Sequence, residues 1–316
     1  MENKNTKHKS VLLQEVIAHL NPKPGDTYID ATIGFGGHTE AIVHAIGSKG
    51  RLLGLDQDQE ATDWLKANLM PGYPNLILEK ANFSHIGEIA DKHGLKRVNG
   101  ILADIGVSSF QLDQPERGFS FRENGPLDMR MDKSQELTAE KILADYREED
   151  LVQIFQNYGE ERLSKTIAKT IVTERQQRKL ENTGDLTDLV EKIYQRKGFK
   201  RGKINPATKI FQALRIEVND ELESLERFLP QAIDLLVGGG RLGIITFHSL
   251  EDRIVKQYFQ QESRECICLP EVPKCSCNHR KSIKIITKKP ITASKEELNE
   301  NPRSRSAKLR VIQKLK

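Results

Sequence analysis

Short apolar runs rich in β-branched residues recur along the first third of the chain, at Thr27–Ala31, Arg51–Asp56, Leu76–Glu79 and Gly100–Ile105. Their length and composition predict strands. Between them the apolar positions shift to a helical spacing, over His38–Ile46, Gln59–Leu69 and Ile86–His93, with Asp58 placed to cap the second helix. Such alternation predicts a parallel α/β sheet. From about Gln114 to Lys203 the strand signal stops. Helices are predicted there over Thr138–Tyr146, Glu148–Asn157, Leu163–Gln176 and Leu186–Gln195, with Thr183-Gly184-Asp185 supplying a cap for the last. After Asn205 the sheet texture returns. Leu214, Val218, Leu222, Leu225, Leu229, Ile233 and Leu236 predict one long amphipathic helix over Phe211–Val237, ended by Gly238-Gly239-Gly240. Strands follow at Arg241–Phe247, Ile283–Thr287 and Ala307–Ile312. The expected architecture is an α/β domain made of residues 1–113 and 204–316, with an all-helical domain of residues 114–203 inserted into it.

The most informative segment is Asp30-Ala31-Thr32-Ile33-Gly34-Phe35-Gly36-Gly37-His38-Thr39, a strand that ends in an acid, then a glycine-rich turn into a helix. Glycine lets the backbone approach a ligand and take positive φ at no steric cost. Asp56 closes the next strand, and in a doubly wound sheet both acids face the crevice at the carboxyl ends of the strands. An acid there accepts hydrogen bonds from ribose hydroxyls, which points to a nucleoside. Thr39 stands where a dinucleotide fingerprint needs its third glycine, and no P-loop lysine follows. A nucleoside without phosphates fits, and S-adenosylmethionine is one. Phe83, after the third strand, is placed to pack on adenine, and Asp104 to Gln111, after the fourth, lies beside the transferable methyl group. A tight βα turn with helix-capping acids is the bland alternative.

Composition narrows this little. A net charge of +4 permits a polyanionic partner without requiring one. No apolar run reaches the ~18 residues that would cross a bilayer, and the polar first ten residues lack a secretory core, so a cytoplasmic location is expected.

Seven blocks carry a specific resemblance: Gly36 to Thr39, Asp104 to Ser109, Arg117 to Phe121, Pro126 to Asp132, Asn205 to Thr208, Phe211 to Ile216 and Phe247 to Arg253. In this order the chain resembles the MraW/RsmH family, S-adenosylmethionine-dependent enzymes that N4-methylate a cytosine in the decoding region of 16S ribosomal RNA. The resemblance implies a class I (Rossmann-like) methyltransferase sheet with a helical insertion used for substrate recognition. It implies cofactor contacts at Gly36, Gly37, His38, Asp56, Phe83, Asp104 and Gln111, and a partner in the small ribosomal subunit.

Methyl transfer to an exocyclic amine is mainly a matter of positioning, assisted by an acceptor beside the amine. By place along the strands, Asp104 and His248 are the expected catalytic residues. The prolines and aromatic common in nitrogen methyltransferases are replaced here by Ile105-Gly106-Val107. Basic residues at Lys200, Arg201 and Lys203 and at Arg303 and Arg305 are expected to bind substrate phosphates, with Phe199 able to stack on an unpaired base. The helical insertion offers a surface for a homodimer. A ribosome-assembly RNA-binding factor that uses the pocket as a sensor is the alternative function. All four cysteines lie between Cys266 and Cys277. With His279 close by they invite a zinc reading, but their C-x-C spacers are tighter than those usual for zinc; a reduced loop with no metal is expected, with a structural metal as the alternative.

Overall fold

Seven apolar runs form one sheet: β1 (Thr27–Asp30), β2 (Arg51–Asp56), β3 (Leu76–Lys80), β4 (Val98–Asp104), β5 (Leu236–Thr246), β6 (Ile283–Ile285) and β7 (Lys308–Lys314). The spatial order is β3-β2-β1-β4-β5-β7-β6. The first five strands run parallel, whereas β7 is antiparallel to both β5 and β6. This is the mixed α/β fold the pattern predicts. The order reverses at β1 and β4, the switch point where open α/β sheets place their ligands. The computed structural model describes residues 9–199, 202, 205–268 and 275–316.

Two compact units divide the chain, Met1–Gly106 with Leu222–Lys316, and Val107–Glu221. The sheet unit has a core on each face: one around Ile29, Leu53, Ile101, Phe228 and Ile244, the other around Val16, Ile42, Leu52, Leu102 and Val311. Both sets are carried by strands whose successive side chains point to opposite faces. The second unit is helical, with its own core around Phe155, Ile167, Leu186, Ile210 and Leu214. The sequence drew this insertion at 114–203; the chain contacts draw it wider, at 107–221.

The long helix predicted over Phe211–Val237 is two helices, Ala207–Asn219 and Glu221–Leu235. Asp220 between them takes a left-handed conformation, φ 50°, which Asp tolerates better than most residues. The apolar series misled because it keeps one phase through the break. Leu214 and Val218 serve the core of the helical unit, while Leu225, Leu229 and Ile233 serve the sheet. The triple glycine does not stop a helix either. It lies inside β5, which begins at Leu236, and Gly239 has φ 88° where the pairing with β4 shifts register between Val98 and Gly100. The cap of helix Thr183–Arg196 also moves by one residue: Asn182 accepts from the Asp185 N–H at 2.9 Å. No helix among the described residues is long and apolar enough to cross a membrane.

Candidate active site

The carboxyl ends of β1, β2, β4 and β5 carry Asp30, Asp56, Asp104 and His248, with His38 beside Asp104. Asp30 closes β1 and is buried; its Oδ2 accepts from the Thr39 hydroxyl at 2.6 Å. Asp56 closes β2, with Oδ2 accepting from the Gly34 N–H and Oδ1 from the Asp58 N–H, both at 2.8 Å. Burial pushes both carboxyls up to about 6. Asp104 closes β4, its backbone N–H held by the Thr32 hydroxyl oxygen at 2.6 Å. Its carboxyl is pushed up to about 8, by burial first and then by the charges of Asp30 and Glu251. Asp104 Oδ2 lies 3.7 Å from Nδ1 of buried His38, while Oδ1 is buried without a hydrogen-bond partner. His38 is fixed at its other nitrogen, Nε2, by the Val11 carbonyl at 2.9 Å.

The turn glycines divide by role. Gly34 has φ 51° and open space where a Cβ would sit, so it is free to meet a ligand. Gly36 also has positive φ, yet a Cβ there would strike Leu69 at 2.7 Å, and one at Gly37 would strike the Ser10 hydroxyl at 2.0 Å. At both positions an added Cβ would meet the protein's own side chains, and Gly36 in addition takes a positive φ that favours glycine.

His248 follows β5 and precedes helix Ser249–Glu262. Its Nε2 is 3.0 Å from Glu251 Oε1 but lacks hydrogen-bond geometry, and its Nδ1 is likewise buried without a hydrogen-bond partner. Glu251 is fully buried; its Oε2 accepts from the backbone N–H groups of Phe247 and His248 at 2.8 and 3.2 Å. The sequence reading passed over Glu251. Its signal was an acid three residues after the residue preceding the helix, the spacing of a capping box.

Two of the expected cofactor contacts also serve the fold. Phe83 belongs to the sheet core, with its ring edge-on to Phe228 at 5.2 Å between centroids. Gln111 lies in the helical unit, where Oε1 accepts from the Ser108 N–H at 3.0 Å and completes the capping box of helix Ser109–Asp113. Of the basic residues, Lys200, Arg201 and Lys203 lie outside the described residues. Phe199 is exposed beside Tyr194. Arg303 and Arg305 are exposed on a single 3₁₀ segment, Pro302–Ser306, whereas Lys308 and Arg310 farther along are committed to Asp252 at 3.1 and 2.6 Å.

The sequence profile of the MraW methylase family matches residues 5–315. The chain belongs to this family. It is 46% identical over 308 residues to ribosomal RNA small subunit methyltransferase H of Halothermothrix orenii, covering 98% of both proteins. It is 47% identical over 309 residues to the protein of that name from Heliobacterium mobile, covering 98% of this chain and 99% of the relative. An rRNA methylase structure from Streptococcus thermophilus aligns over the whole of both chains at 10% identity and a TM-score of 0.44, a loose likeness.

As an MraW methylase the protein uses S-adenosylmethionine, and its sheet edge suits that group. Each Asp56 oxygen takes one backbone N–H and keeps acceptor capacity for a hydroxyl. Three carboxylates that burial makes reluctant to ionise suit a cationic ligand, which lowers their cost of charging.

Proposed function

We propose that this methylase acts on the N4 amine of a cytosine in the decoding region of 16S ribosomal RNA, within the small subunit, giving N4-methylcytidine. The observation that carries the reading is the unpartnered Oδ1 of Asp104 on a carboxyl held up near 8. The relatives' names support the small-subunit RNA, and the resemblance of the seven sequence blocks supports the base and the nitrogen.

When bound, S-adenosylmethionine supplies a methyl group on a sulfonium, whose positive charge also favours the ionised form of the acids at this edge. Asp104, as carboxylate, accepts a hydrogen bond from the amine at Oδ1, which localises the nitrogen lone pair. The proton that the nitrogen sheds on becoming a secondary amine then passes to Oδ1. A carboxyl with a raised pKa is the stronger base for this task. His248, held by Glu251, orients the base. Asp56 holds the ribose hydroxyls, with Gly34, Gly36, Gly37 and His38 shaping the turn beside it. Arg303 and Arg305, with Lys200, Arg201 and Lys203, supply phosphate contacts that weaken with salt. The helical unit recognises the substrate and offers a homodimer surface, and the enzyme works in the cytoplasm.

The test is methyl transfer from labelled cofactor to small subunits lacking the modification, followed by nucleoside mass spectrometry. Label in N4-methylcytidine is expected. Tight cofactor binding with no label on subunits, free RNA or DNA would sink the reading in favour of a sensor.

A further inference from the structure

The cysteine-rich segment lies between helix Ser249–Glu262 and β6, on residues that the methylation reading does not use. Its one-residue spacers argued against chelation when each pair was taken alone. In the structure the four sulfurs of Cys266, Cys268, Cys275 and Cys277 converge, all within 4.8 Å of one another. Cys266 Sγ is 3.4 Å from Cys275 Sγ and 3.7 Å from Cys277 Sγ, and the last two are 3.6 Å apart.

These lengths discriminate between states of sulfur. A disulfide requires about 2.05 Å. Four thiolates at about 2.3 Å from a tetrahedral zinc ion stand about 3.8 Å from each other. Three of the sulfurs therefore already form a face close to that of a zinc tetrahedron, with Cys268 within reach of the fourth vertex. The geometry points to a structural zinc site made by these four cysteines.

The surroundings agree in three respects. The donor set is sulfur alone, which selects zinc or iron and excludes the hard cations that need oxygen. The nearest alternative ligand, His279, has its Nε2 on the Gln261 carbonyl at 3.1 Å. The Cys268 backbone N–H turns onto Cys266 Sγ at 3.4 Å; amide donors of this kind commonly orient metal-bound thiolates.

Such a site has a clear structural task. The stretch from Ser263 to Ser282 contains no helix or strand among its described residues, and loops this long in a compact unit need a staple. Its base is tied by Ser282, whose N–H and hydroxyl reach the Glu262 carbonyl and carboxylate at 2.9 and 2.7 Å. Zinc would tie Cys266 and Cys268 to Cys275 and Cys277, beyond the end of the helix opposite His248. The site orders a loop and takes no part in the methyl transfer.

The full-length chain, purified without an affinity tag, is analysed for metals by mass spectrometry. About one zinc per chain is expected, with the cysteines slow toward a thiol reagent until a strong chelator is added. Cobalt(II) in place of zinc should show the intense visible bands of a tetrahedral four-thiolate site. The double variant Cys266→Ser/Cys277→Ser should lose the zinc and the cobalt spectrum. Wild-type protein free of zinc, whether its intact mass shows four thiols or two disulfides, would overturn the assignment. So would iron in zinc's place. Because these readings come from the wild-type chain, a variant that fails to fold leaves the test intact.

Discussion

The buried acids at the sheet edge contrast with the buried polar groups of the helical unit. In the helical unit most are matched, although Glu161 keeps Oε2 buried without a partner. Arg117 is fully buried, its guanidinium donating to the Arg130 and Met131 carbonyls at 3.0 and 3.2 Å. Asn219 accepts from the Met131 N–H and donates to the Met129 and Arg215 carbonyls. Burial pushes the Asp128 carboxyl up, yet its bidentate pairing with Arg130 outweighs that and leaves it below the ordinary carboxylate range. At the sheet edge the acids lie above that range, at about 6, 6 and 8, and the nearest cation candidate, His38, is 3.7 Å from one of them. Matched burial builds a scaffold. Mismatched burial is a state that a ligand can relieve.

The sharpest break of this contrast is Asp104→Asn. Methyl transfer should fall by roughly 10²–10⁴-fold, measured by label incorporation under saturating cofactor. The same variant should melt higher at pH 8. A carboxyl whose folded pKa is raised from about 4 to about 8 contributes stability that is present at low pH and lost as pH rises through about 8. The thermal gain should therefore vanish near pH 4; a loss of stability at pH 8 would remove Asp104 from the mismatched class. Next in size, Arg117→Ala should cost about 3 kcal/mol in denaturant unfolding, by leaving two carbonyls unmatched around a new cavity. If it unfolds like wild type, the helical unit is not held as described.

A smaller effect tests Asp30 and Asp56 together. Protonation through about 6 removes the negative charge that favours a cationic ligand. Cofactor affinity should weaken by about tenfold between pH 8 and pH 5.5 in calorimetric titration. A flat profile would mean that these carboxyls do not face the ligand. The smallest effect belongs to the scaffold: Asn182→Ala should cost about 1 kcal/mol through the lost cap, with cofactor affinity unchanged.

The sheet was largely legible because strands buried on both faces announce themselves as continuous apolar runs. Arg51–Asp56 was predicted with the bounds observed, and the other early strands within two residues. What escaped was information held by partners distant in sequence. Leu214 and Leu225 share a helical phase and differ only in which core receives them. The closeness of Ser10 to Gly37 is another such partner. Glu251 looks like an exposed helical acid until the backbone amides of Phe247 and His248 are found on its carboxylate. The places of Asp104 and His248, at or just after the carboxyl ends of β4 and β5, were legible from the strand pattern, whereas the cap that Gln111 completes was not.

The position of β7 between β5 and β6 has a consequence for timing. Residues 308–314 must arrive before either neighbour has its pairing partner on that side, and Lys308 and Arg310 on this strand also grip Asp252, next to Glu251. During synthesis, β1 to β4 can assemble while the later strands are still inside the ribosome. The anchoring of the His248 helix waits for a segment made some fifty-five residues after it. A nascent chain halted before Lys308 would therefore display the carboxyl ends of β1 to β4 with the helix after β5 unlatched.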